Sequence, residues 1–222
     1  PENRGVIYAK EVLQAYAHNL PKSDQIKEFL RLYEQGDRGA LHDVLRRITK
    51  ENTELVSVLA TIPVSVLTDS HYSLASSFSH MAATKLPDAA FLPQLRELAE
   101  HTLSGWVLQA LRACGDEPLA RKLALEAIEA PLLAQDSGAI FRALYERAGV
   151  VSFLGELEDP KLFGNIDRLT RSEVLEEYRE KLIGAAKAED KEQYDFPVGN
   201  LERMAILALA RTGGPKSIPR LK

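Results

Sequence analysis

The stretch ALHDVLRRI at positions 40–48 sets His42 beside Asp43, a pairing that can ligate a divalent metal and let it activate water for hydrolysis. His18 upstream and Asp69, Asp88 or Asp116 downstream supply further residues of ligand type. Helical phase works against this use. Leu41, Val44, Leu45 and Ile48 fall at helical spacing and mark a buried face, which turns His42 and Asp43 outward beside Arg46 and Arg47. Asp43 and Arg47 then make an exposed i, i+4 ion pair worth roughly 0.2–0.5 kcal/mol, and the two arginines repel a cation. Among the five histidines, His18, His42, His71, His80 and His101, no two stand four apart, so no helix offers paired zinc ligands on one face.

Nucleophilic catalysis fares no better. Asp69, Ser70 and His71 are the right types, but adjacent residues on a helix point in different directions and cannot form a triad among themselves. Ser76 and His80 are spaced to meet, without the glycine elbow that exposes a catalytic serine. Cys114 lies on an apolar stripe and reads as a buried small hydrophobe rather than a thiolate. GDRG and TGGPK lack the glycine spacing and the lysine–serine or lysine–threonine ending of a phosphate-binding loop. The expectation is no catalytic set, no metal and no cofactor.

The elements that would position any site are helices. The chain has 222 residues, 45% hydrophobic and 27% charged, which is the composition of a folded globular protein with a sizeable core. Its net charge of −4, with lysine and arginine scattered among acids, offers no basic stripe and disfavours nucleic acid as a partner. One cysteine forbids an intramolecular disulfide and suits a reducing compartment. No apolar run is long enough to span a membrane, and PENRGVIYAKE lacks a signal-peptide layout, so a cytoplasmic location is expected.

Ile26, Phe29, Leu30 and Tyr33 repeat at helical spacing between a capping Ser23 and a terminating Gly36, and residues 23–50 read as a helical hairpin. Leu74, Ala75, Phe78, Met81 and Ala82 mark a helix capped by Asp69. The stripe from Leu95 through Leu98, Leu103, Trp106, Val107 and Leu111 to Cys114 predicts one helix of about twenty residues bent at Gly105. Helices follow at 118–129 and 139–149. Thr170 and Glu173 form a capping box that opens another at 171–188. Only VVSF at 150–153 could be a strand, and it is too short to build a sheet. The expected class is all-α, either an irregular α-solenoid-like stack of antiparallel helical hairpins or a multi-helix bundle, in a single domain over 1–222 with a candidate subdivision near 86–92.

Gly36, Gly115, Gly149 and Gly213 each read as a helix stop with a new apolar anchor eight residues on. The last three lie 34 and 64 residues apart, near one and two periods of helical repeats. ILALARTGGPKSIPRL resembles the inner half of a HEAT-type repeat, and LQALRACGDEPLARKLALEAI resembles a HEAT or tetratricopeptide junction, together about 40 residues. The resemblance implies a stack of helical hairpins that holds another macromolecule. A competing resemblance is carried by His42 and Asp43, which are similar to the metal-binding doublet of the all-helical HD phosphohydrolases. It implies the alternative function of a metal-dependent phosphohydrolase.

Two segments point outward. SHYSLASSFSHM carries Ser73, Ser76 and Ser77 around its apolar positions, short side chains that lose little rotamer entropy when covered. EQYDFPVGN reads as a loop with Tyr194, Phe196 and Pro197 either plugging a groove or serving as recognition anchors. The function expected is a non-enzymatic protein–protein interaction module, an adaptor, regulatory scaffold or inhibitor, whose partner is another protein and which binds no membrane.

Overall fold

The computed structural model describes Lys27, Arg31, His42 and residues 45–68, 74–134, 136–185 and 195–213. Every regular element among the described residues is helical, so the chain is an all-α, multi-helix protein. After helical residues at 27, 31, 42 and 45–47 come α1 (Val56–Leu59), α2 (Val64–Leu67), α3 (Leu74–Thr84), α4 (Leu92–His101), α5 (Gly105–Ala113), α6 (Glu117–Glu129), α7 (Ser137–Glu156), α8 (Phe163–Arg168), α9 (Ser172–Ala185) and α10 (Asp195–Gly213). Short 3₁₀ turns precede α1, α4 and α8.

The single helix expected over the 95–114 stripe is two. Thr102 leaves helical geometry at φ −151°, and the Ser104 side chain accepts from the Val107 N–H to cap a fresh start at Gly105. This break changes the helical phase. Leu95 and Leu98 stay buried on α4, Val107, Leu108 and Leu111 on α5, while Trp106 swings to the surface at 38% exposure. The stop at Gly115 is as expected. Its φ of +107° allows the Gly115 N–H to reach the Arg112 carbonyl and the Asp116 N–H to reach that of Leu111, and the Asp116 side chain then caps α6 through the Leu119 N–H.

Gly149, read as a helix stop, lies inside α7, which runs on through VVSF to Glu156. No strand forms there because Val150, Val151, Phe153 and Leu154 are all buried as a helical core face. EQYDFPVGN is likewise no loop from Asp195 onward, since residues 195–200 open α10. Thr170 does not cap α9 either. Its hydroxyl donates back to the Asp167 carbonyl, and the Arg171 carbonyl accepts the first bonds of a helix that begins at Ser172. Ser23, Gly36, Leu41, Val44 and Asp69 lie outside the described residues, while Leu45 and Ile48 are buried with Arg46 and Arg47 exposed.

The helices alternate in direction. On α5 and α7, Gly105 meets Gly149 and Gln109 Nε2 donates to Glu156 at 3.1 Å, so the two advance together. Between them α6 runs the other way. Arg121, early in α6, pairs with Asp159 beyond the end of α7, whereas the Ala130 carbonyl at its far end accepts from Arg147 in the middle of α7. Gly155 meets Ala208, and the extensive contact between α7 and α10 is attainable only in a parallel pair, because an antiparallel one would overlap merely over the last turns of α10. Cys114, just past α5, reaches the Ala82 carbonyl near the end of α3, which makes that pair parallel as well.

Four helices, α3, α5, α7 and α10, therefore lie side by side as one parallel layer, backed by the returning segments. One buried apolar cluster runs from Leu45 to Leu209 between them. Polar clamps fix the layers: Gln94 Nε2 donates to the Leu59 and Ile62 carbonyls at 3.1 and 2.6 Å. Buried Arg147 joins α6, α7 and α9 through the Ala130 carbonyl at 2.6 Å and the Tyr178 hydroxyl at 2.5 Å.

Candidate functional site

The sequence placed its two outward-facing segments far apart, and the packing puts them on one surface. Ser76 and Ser77 sit half-buried on α3 at one side of the parallel layer, with Ser79 fully buried beneath them. At the other side is the first turn of α10, where Pro197 and Val198 point into the core and Phe196 stands 65% exposed. Within that segment Pro197 is buried and Phe196 projects. Ser73 and Tyr194 lie outside the described residues.

Between these two sides run α5 and α7. Tyr145 is 58% exposed, and Phe141, one turn earlier, shares its face of α7, beside the aliphatic row Ile140, Leu144 and Ala148 that enters the core. Trp106 follows Gly105 on α5 and Tyr145 comes one turn before Gly149 on α7, so both stand on the neighbouring helices that touch at these glycines. The contact leaves no room for side chains, since a Cβ on Gly105 would lie 2.6 Å from the Gly149 carbonyl oxygen. On its other side Trp106 meets the His80 ring edge-on, with centroids 4.5 Å apart and planes at 80°. The band thus reads, helix by helix, Ser76, Ser77 and His80; Trp106; Phe141 and Tyr145; Phe196 and Leu207.

Sequence reasoning assigned Trp106 to the core stripe and passed over Phe141 and Tyr145. A signal for the latter pair exists in two aromatics at i, i+4 that stand one row outside the aliphatic run Ile140, Leu144 and Ala148.

The residues weighed for chemistry do not converge. Among the described residues no group of three or more His, Cys, Asp or Glu is placed to hold a metal. His42 is helical and half-buried, while Asp43, His18 and His71 fall outside the described residues. No hydrogen bond joins Ser76 to His80; the His80 carbonyl accepts from the Thr84 hydroxyl and its ring faces Trp106. Asp88 caps the 3₁₀ turn before α4, and Asp116 caps α6 while pairing with Arg96. An open cleft of about 340 Å³ is lined by Glu129, Gly164, Asn165 and Arg168. Its polar groups join helices, Asn165 to Glu129 at 2.9 Å and Arg168 to the Ile128 carbonyl at 3.0 Å.

Cys114 is buried, and that burial pushes its thiol above the ordinary value, with a bond to the Asp88 backbone acting the other way. A higher thiol pKa means less thiolate at neutral pH and slower alkylation. Native protein is therefore expected to react with iodoacetamide far more slowly than protein in guanidinium, and equal rates would place Cys114 at the surface.

The band is poor in acids. Asp195 and Glu202 are drawn toward Arg179 on α9, at 3.6 and 3.9 Å, and Glu156 is held by Gln109. Burial raises the Glu146 carboxyl above its usual range despite nearby Arg142. No described helix is long and apolar enough to cross a membrane. Set beside family models, curated proteins and solved structures, the chain matches none of them.

Proposed function

We propose that this chain is a non-enzymatic protein-interaction module, an adaptor, regulatory scaffold or binding inhibitor of irregular helical-repeat type. The observation that carries the reading is the row of exposed aromatics, Trp106, Phe141, Tyr145 and Phe196, on neighbouring parallel helices. Exposed apolar residues scattered singly need no explanation, but aligned ones form the contiguous patch that marks an interaction surface. Trp, Tyr and Arg carry a large share of binding energy wherever they are buried at an interface. The alternation of helix direction supports the helical-repeat part of the proposal, because such stacks present one layer of helices as an extended binding face. A cytoplasmic setting belongs to the same reading and rests on the single, buried cysteine.

The test is a double variant, Tyr145→Ala with Phe196→Ala, compared with Leu133→Ala, an exposed site on the connection between α6 and α7. Each band substitution is expected to lower stability by less than about 1 kcal/mol, because both side chains are mostly exposed. Together they are expected to weaken capture of the partner from host extract by 2 kcal/mol or more, roughly thirtyfold. Retained capture by the double variant, or equal loss with Leu133→Ala, overturns the proposal.

A further inference from the structure

We infer that the partner docks on the outer face of the α3–α5–α7–α10 layer through an acidic amphipathic segment, its apolar residues on the aromatic band and its carboxylates on Arg142, Arg203 and Arg211. The inference rests on the interaction reading and adds the partner's chemistry. Its ground is a charge asymmetry that the net charge of −4 conceals.

The returning helices carry the acid. On α9, Glu173, Glu176, Glu177 and Glu180 outnumber Arg179 and Lys181, and α4 holds Glu97 and Glu100 against Arg96. The parallel layer is different. α3 has no charged residue, and on α7 and α10 Arg142, Arg203 and Arg211 are exposed, while the acids there are half-buried, as Glu146 and Glu156 are, or, like exposed Asp195, drawn toward Arg179. The acids of α10 are turned toward α9 through Arg179, as described above. Arg142 directly follows Phe141 in sequence and is exposed at the side of its row. Phe196, Arg203, Leu207 and Arg211 recur at helical spacing along one side of α10, so cation and apolar surface alternate within a single stripe. Such a face attracts a segment in which carboxylates flank apolar anchors and repels a basic one, which gives selectivity as well as attraction. Arginine also stacks on aromatic rings while it binds a carboxylate, so the two contributions reinforce each other.

The experiment selects short random peptides from a display library on the full chain. Clones are then sorted by whether they also bind a Trp106→Ser, Tyr145→Ser variant. Clones that require the band are expected to carry net negative charge and at least two large apolar residues, and to lose about tenfold or more in affinity on Arg142→Glu, Arg203→Glu protein of unchanged thermal stability. Band-dependent clones that are neutral or basic overturn the charge inference and leave the interaction reading standing. Binding clones that never depend on the band overturn both. Tighter band-dependent binding of a short single-stranded RNA, or of phosphatidylserine vesicles, overturns the assignment of the acid to a protein.

Discussion

Phe91→Ala is expected to destabilise the protein by about 3–5 kcal/mol, a large part of the 5–15 kcal/mol that holds a typical domain folded. Phe91 closes the 3₁₀ turn from which α4 starts, is fully buried, and meets Phe78 of α3 edge-on with centroids 5.4 Å apart and planes at 76°. Truncation removes the transfer energy of the ring, its pairing with Phe78, and the only large side chain that this turn contributes to the core. Urea unfolding should show a lower midpoint at unchanged slope. A loss under about 1 kcal/mol would mean that the interior closes over the gap and that the Phe78–Phe91 pair does not organise this corner.

The second large effect runs against helix propensity. Gly155 lies near the end of α7, where propensity alone makes alanine better by about 1 kcal/mol. A Cβ there would stand 2.7 Å from both the Cα and the Cβ of Ala208, so α7 and α10 would have to separate. Gly155→Val is therefore expected to cost about 3 kcal/mol or more through overpacking against backbone. Gly155→Ala should also lose stability despite the propensity gain. Gly164, on α8, meets nothing within 4 Å, and Gly164→Ala should be neutral or stabilising by up to about 1 kcal/mol. Thermal denaturation of these three variants separates the two contributions, and stabilisation by Gly155→Ala would disprove the close approach.

That contact also explains where sequence reasoning went astray. Glycine after an alanine- and leucine-rich run reads as a helix stop, which is right at Gly115, where φ is positive. It is wrong at Gly149, where glycine instead lets Gly105 of another helix approach. Both uses need the missing Cβ, and only the three-dimensional partner distinguishes them. The break at 102–104 had a local signal in Ser104 as a cap, but the apolar stripe continues in phase closely enough across Leu103 and Trp106 to mask it. Its consequence, Trp106 at the surface, was hidden with it.

Helix identity and core membership were legible because they depend on periodicity: Leu95, Leu98, Val107, Leu111 and Cys114 are all buried as their spacing predicts. The band was legible only in pieces. Ser76, Ser77 and Phe196 stand out because their local sequence disagrees with a plain solvated helix face, while Tyr145 becomes meaningful once α7 is placed beside α5 and α10. Which helices neighbour one another is decided by the glycine contacts and polar clamps across the layers, at sequence separations where no periodic signal survives.

The central claim is that a partner protein covers the outer face of the parallel layer and leaves the acidic helices free. Photocrosslinking addresses it most directly, with a photoreactive phenylalanine analogue placed at Tyr145 in the band and, separately, at Glu97 on the exposed side of α4. In host extract the protein carrying the probe at 145 is predicted to form one discrete, higher-mass protein adduct, and the protein carrying it at 97 to form none. Adducts at 97 with none at 145 would contradict the account.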